Sequence, residues 1–197
     1  MEKLKITLAT GNPHKVEEIN LIAKEYNIEF VLPKGDFDPI EDGKTFLENA
    51  YCKAKCASKL GGTKYFLADD SGLCIEALNG APGIYSARYE TTPKKRIEKV
   101  LKNLEGIEKE EDRKAYFACA MVVVDHEGKI LFQVEKRCYG FILKEPVGEN
   151  GFGYDPIFYV EEAKKGMATL KKEEKATLSH RAKALKEVLN WLQNERK

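Results

Sequence analysis

Apolar positions along this chain switch repeatedly between strand-like runs and helical spacing. Residues 6–9 (ITLA) read as a short buried strand, after which Val16, Ile19, Ile22 and Ala23 recur on one helix face. Between them lies TGNPHK, where Gly11 permits a tight turn, Asn12 is a good N-cap and Pro13 fits the first helical position. Residues 28–32 read as a second strand, followed by the polar, Asp-rich loop KGDFDPIEDGK. Thr45 with Glu48 then makes a capping-box pattern, and Phe46, Ala50, Ala54 and Ala57 mark the buried side of a helix that should stop at Gly61 and Gly62. A third strand over residues 65–68 is expected to end in Asp69-Asp70-Ser71-Gly72, before an apolar run resumes over 73–78.

The glycines and Pro82 of NGAPGIYSARYE predict a loop, and Thr92-Pro93 starts a helix that should end near Gly106. Residues 115–124, 129–143 and 157–160 read as three further strands. The last helix should begin at about Ser179, with Ala182, Leu185, Val188, Leu189 and Leu192 on its buried stripe. Strands and helices mix irregularly, and the middle hairpin should be antiparallel. The expected fold class is therefore α/β, a mixed and strongly twisted sheet with flanking helices, in a single domain over residues 1–197.

Composition narrows the partners. Lys and Arg total 33 against 32 for Asp and Glu, so no global field draws the chain to nucleic acid or to a membrane surface. Binding has to be local. No run approaches the ~20 apolar residues of a membrane span, and the start lacks a signal peptide's apolar stretch, so a cytoplasmic protein is expected. The cysteines at 52, 56, 74, 119 and 138 form no C-x-x-C, and the three histidines lie far apart, so all five are read as reduced thiols.

Four polar clusters carry candidate chemistry. The helix start at TGNPHK, with Thr10, Asn12 and Lys15, suits an anion such as phosphate, although ordinary strand-to-helix turns look the same. In FLADDSGL two adjacent carboxylates repel each other unless a cation or proton lies between them. Magnesium held by these acids and by phosphate oxygens is one reading, with one acid orienting a water; a solvated turn capped by Ser71 is the other. GENGFGYDP places three glycines within six residues beside Phe152, Tyr154 and Asp155, which makes either a nucleobase platform or core packing. In LSHRAKAL, His180 and Arg181 lie in a first helical turn, where the macrodipole disfavours cations; a phosphate or carbonyl acceptor, or plain exposure, would account for them. Lys175 belongs to the run KKEEK, which by itself reads as a solvated face. Together these are the parts of a nucleoside triphosphate site.

TGNPHK, TFLENA, ADDSGL, GAPGIYSARY, GFGYDP and EEKATLSHR, in that order over nearly the whole chain, resemble the inosine triphosphate pyrophosphatase family. The resemblance implies an elongated sheet fold of two lobes around a central nucleotide cleft, commonly a homodimer. It implies magnesium-dependent hydrolysis of ITP, dITP and XTP to the monophosphate and pyrophosphate, which removes deaminated purines from the nucleotide pool. Residue by residue, Thr10, Gly11, Asn12, Pro13, His14 and Lys15 match the triphosphate-binding turn, and Lys53 a basic residue on the following helix, taken with Asp70 as catalytic. Asp70 matches the proton acceptor and metal ligand, with Asp69 beside it and Ser71 touching substrate. Phe152, Gly153, Tyr154, Asp155, Lys175, His180 and Arg181 match the base and sugar side. One position departs from the pattern: some members carry an acid where this chain has Ile40, which leaves that extra metal ligand missing, with Glu41 or Glu48 the candidates to substitute for it.

The expected chemistry is attack near the α-phosphorus by a water that Asp70 prepares, with Lys15, Lys53 and magnesium offsetting charge. Selectivity would come from donors aimed at the 6-oxo group, for which His180 and Arg181 are the candidates. Two other functions use many of the same residues. One is a hydrolase of modified pyrimidine or methylated nucleotides; the other is a non-catalytic module binding nucleotides or RNA ends, which gains nothing from Asp69 and Asp70.

Overall fold

The first strand-to-helix turn forms as its residues dictate. In the computed structural model, which describes residues 3–195, β1 (Leu4–Leu8) gives way to α1 (Pro13–Ile22), with the Asn12 side chain accepting from the His14 N–H and Pro13 in the first turn. After β2 (Ile28–Val31), Thr45 caps α2 (Phe46–Leu60) by accepting from the Glu48 N–H, and α2 stops at Gly61. Gly61 has a positive φ of 68°, which a side chain would disfavour.

β3 departs from expectation. It runs unbroken from Tyr65 to Ile75, so ADDSG is the middle of a long strand and not a turn at its end. The sheet continues with β4 (Lys114–Val124), β5 (Ile130–Ile142), β6 (Phe158–Val160) and the short β7 (Lys165–Gly166). Strand order is β2-β1-β3-β4-β5-β6-β7; β1 is parallel to β2 and β3, and β6 is antiparallel to β5 and β7. The expected mixed sheet with flanking helices is the one observed. The remaining helices are α3 (Pro93–Asn103), α4 (Lys172–Leu178) and α5 (His180–Asn194), with a 3-10 helix at Gly83–Arg88 inside the expected loop. α4 occupies KKEEK, the run expected to be a solvated face. Among the described residues, no helix is long and apolar enough to cross a membrane.

The chain divides into two compact units. One holds the chain up to Asp70, Cys119–Lys136 and the chain from Arg181 onward. Strand alternation gives its sheet two packed faces. Leu67 and Tyr65 meet α1 and α5 through Ile19, Ala184, Leu185 and Val188, while Phe66 and Ala68 meet α2 through Ala50, Ala54 and Ala57. The other unit, Ser71–Ala118 with Arg137–His180, packs Leu73, Val100, Phe117, Tyr154 and Phe158 into a core of its own.

Candidate active site

The site in the first unit exists because β1 ends before β3 does. The Ala9 N–H still bonds the Leu67 carbonyl, and the chain then turns away through Thr10 into α1. β3 continues alone on that side with Asp69 and Asp70. Successive side chains of a strand point to opposite faces, so the two acids do not share one cation, as the sequence reading had it. Each has its own lysine.

Asp69 faces α1 and α5. Its Oδ2 accepts from Lys15 Nζ at 2.8 Å and lies 3.4 Å from an Arg181 guanidinium nitrogen and 3.9 Å from the Cys119 thiol. Burial alone would raise its pKa, but Lys15, Arg181 and Lys53 outweigh burial and hold the carboxyl well below the usual carboxylate range. Asp70 faces α2. Its Oδ1 accepts from Lys53 Nζ at 2.8 Å, and Asn49 Nδ2 lies 3.4 Å from its Oδ2. Here burial dominates and pushes the carboxyl up, only partly offset by Lys53. Neighbouring carboxylates whose environments move them in opposite directions suit different roles, the raised one a base and the lowered one a permanent charge.

The TGNPHK turn borders this pair. Thr10 Oγ1 accepts from the Asn12 N–H at 3.1 Å and Asn12 Oδ1 from the His14 N–H at 3.0 Å, so both side chains shape the turn, while Gly11, Pro13 and His14 are exposed at its rim. Ser71, half-buried, follows Asp70 on the same strand.

Arg181 was expected to read a base. It is 1 % exposed, with one guanidinium nitrogen 2.5 Å from Glu18 and the other on Asp69. Those carboxylates, and not a ligand, explain a cation in the first turn of α5.

The second unit gathers the glycine loop. Asp155, 3 % exposed, accepts from the Phe152 N–H at 2.8 Å and from Lys175 Nζ at 2.6 Å, and the same ammonium lies 4.8 Å from the Phe152 ring centroid. Asp155 therefore orders Lys175 and the loop, where a ligand acceptor was expected, and Lys175 is buried where a solvated face was expected. Tyr154 is no platform either: it is buried in the core with its hydroxyl donating to the Ser86 carbonyl at 2.8 Å. His180 stacks on Phe117 at 4.9 Å and 11°. Phe152, half-buried, remains the aromatic that a base would meet.

Gly151 tests this arrangement. Its φ is +79°, and a Cβ there would sit 2.1 Å from Asp155 Oδ2. Gly151→Ala is expected to push the Asp155 carboxylate off Lys175 and to weaken nucleotide binding in calorimetry, with a loss of ~1–3 kcal/mol in stability from strain and the disturbed buried pair. Unaltered binding and melting temperature would show that the loop does not depend on that ion pair.

Three participants escaped the sequence reading. Asn49, fully buried, accepts from the Gly43 N–H at 2.9 Å while its amide faces Asp70. Glu18 holds Arg181, and Cys119 lines the Asp69 pocket. Asn49 and Lys53 stand one turn apart on the buried side of α2, and a polar residue on an apolar stripe is the signal that could have found Asn49.

A divalent cation can be tested against these donors. No group of three or more His, Cys, Asp or Glu able to hold a metal occurs among the described residues. Magnesium does not require one, since one or two carboxylates with phosphate oxygens and water complete its shell. The Lys53 ammonium already lies between Asp70 and Glu41, at 2.8 and 3.4 Å, so this pair accepts a cation. The donor set fits magnesium. Of the two acids considered in place of Ile40, Glu48 accepts from the Lys44 N–H at the start of α2, which leaves Glu41.

Residues 6–191 match the Ham1 family model. A dITP/XTP pyrophosphatase from Treponema denticola is 43 % identical, over 96 % of this chain and 98 % of the relative. One from Bacillus anthracis is 46 % identical over 93 % of each chain. Among solved structures, a HAM1 protein from Coxiella burnetii superimposes with a TM-score of 0.86 at 40 % identity, over 97 % of this chain and 99 % of that one.

Proposed function

The chain belongs to the Ham1 family, and from that membership we propose that it hydrolyses the deaminated purine nucleoside triphosphates dITP, XTP and ITP to the monophosphate and pyrophosphate. The observation that carries this reading is the buried Asp70–Lys53 pair, at 2.8 Å, where β3 runs on past the phosphate-type turn into α1. A binding module for anions has no use for a buried carboxylate raised by its surroundings; a hydrolase has.

In the mechanism, Asp70 takes the proton of the water that attacks the α-phosphorus. Lys53 favours its ionised form, and Asn49 fixes the carboxylate plane. Lys15 and the positive end of α1 take phosphate charge, and pyrophosphate leaves with no covalent intermediate. Magnesium, when bound, supplies Lewis-acid polarisation and charge neutralisation at the phosphates. Asp70 and Glu41 would hold it. In the second unit, the Phe152 ring beside the Lys175 ammonium is a surface suited to stacking a base. Arg181, the candidate reader of the 6-oxo group, is held by Glu18 and Asp69. The same reading makes the working enzyme a cytoplasmic homodimer that uses magnesium and takes neither nucleic acid nor membrane as partner, which rests on the family resemblance and the balanced charge.

A panel of nucleotides with magnesium, in water enriched in oxygen-18, tests the proposal. ITP, dITP and XTP should be cleaved well ahead of ATP and GTP, with pyrophosphate released and the label in the monophosphate. Preference for a modified pyrimidine or methylated nucleotide, release of orthophosphate, or no turnover of any nucleotide would reject it.

A further inference from the structure

We propose that Glu18 is a positioning residue for phosphate binding, holding Arg181 so that Asp69 remains available to aim Lys15. The idea rests on the triphosphate reading of the α1 turn, but not on which base is accepted.

Lys15 and Arg181 both lean on one atom, Asp69 Oδ2, at 2.8 and 3.4 Å respectively. The Asp69 side chain is fully buried and that of Arg181 is 1 % exposed, so water does little to screen this competition. Glu18 decides it. Its Oε2 lies 2.5 Å from the other terminal nitrogen of the guanidinium, nearer than Asp69 does. A guanidinium is a rigid planar fork, so a carboxylate gripping one prong sets the place of the other. Glu18 and Lys15 stand three residues apart on α1, on neighbouring positions of one helix face. The result is a chain of contacts, Glu18 to Arg181 to Asp69 to Lys15, tying the start of α5 to β3 and to the first turn of α1. Two cations and two carboxylates balance within it. Without the Glu18 charge, the pull on the guanidinium shifts toward Asp69. Arg181 is then drawn onto Asp69 Oδ2 and displaces Lys15.

Charge and positioning predict opposite results, which makes the test sharp. Removing a carboxylate makes the turn more positive, so simple electrostatics would tighten the grip on a polyanion. Loss of positioning would loosen it. The probe is inorganic tripolyphosphate, titrated calorimetrically into the full chain with chelator present, so neither turnover nor metal enters the readout. Glu18→Gln keeps the shape and removes the charge. We expect tripolyphosphate to bind about tenfold more weakly, the lower end for losing one well-placed bond to a charged group. With ITP, KM should rise by a similar factor while kcat stays within about threefold, the pattern for lost uniform binding.

Equal or tighter tripolyphosphate binding by Glu18→Gln, even with a lowered melting temperature, overturns the proposal and leaves Glu18 a structural or purely electrostatic group. So does a wild type that fails to bind tripolyphosphate. If Glu18→Gln does not fold, Glu18→Asp replaces it: the shorter side chain cannot hold the fork in place, so at least threefold weaker binding is expected and wild-type affinity overturns the idea. A wild type that binds tripolyphosphate in the expected pattern but does not cleave ITP would refute the proposed function while sustaining this role for Glu18.

Discussion

Asp70→Asn is expected to lower ITP turnover by at least ~100-fold, the usual scale of a lost general base, while the protein stays folded. Asn fills the same volume and can still accept from Lys53, which keeps the Glu41 carboxylate at 3.4 Å, so the melting temperature should fall less than in a variant that strands its partner charge. What it cannot do is take a proton from water. The pH profile gives an independent check. Asp70 has to be ionised to take a proton, so wild-type activity should rise with pH along an acid limb as its carboxyl loses its own. In Asp70→Asn that limb should vanish from whatever activity remains. Turnover within tenfold of wild type, or an unchanged acid limb, would mean that Asp70 is not the base.

The parts of this molecule that were legible in its sequence are those whose chemistry is local. Asn12 and Pro13 started a helix because an acceptor side chain and a preset φ act within one turn, and Thr45 did the same for α2. Asp69-Asp70-Ser71-Gly72 misled for a related reason. All four residue types favour turns, and nothing nearby in sequence indicates that Lys15, Arg181, Lys53 and Asn49 will arrive to satisfy the two acids inside a strand. Tertiary partners overrode local propensity.

Lys175 and Arg181 have partners that their local sequence does not show. A lysine in KKEEK looks solvated until Asp155 arrives from a distant loop to neutralise it, and Arg181 looks aimed at a ligand until Glu18 and Asp69 are seen. The resemblance to a family placed these residues near the chemistry. It could not separate those that touch substrate from those that hold the ones that do.

Asp69→Asn should act mainly on stability. The structure makes Asp69 the counter-ion of Lys15 and Arg181, on the face of β3 opposite Asp70. Breaking a buried ion pair on one side strands the other charge, which typically costs ~3–5 kcal/mol. For a domain of this size, that corresponds to a fall of roughly 6 to 20 °C in melting temperature. The pH dependence has a definite sign. Because the folded Asp69 carboxyl is held well below its unfolded value of about 4, its contribution is fully present above that value and is lost as pH falls through the folded one. The gap in melting temperature between wild type and Asp69→Asn should therefore be constant above about pH 5, begin to narrow below about pH 4 as the unfolded chain takes up its proton, and close as pH falls through the folded carboxyl's lower value. Thermal unfolding of both proteins across that range measures this directly. A variant that melts with wild type at neutral pH and merely needs more magnesium would make Asp69 a metal ligand first, and would leave Lys15 and Arg181 to be balanced by other groups.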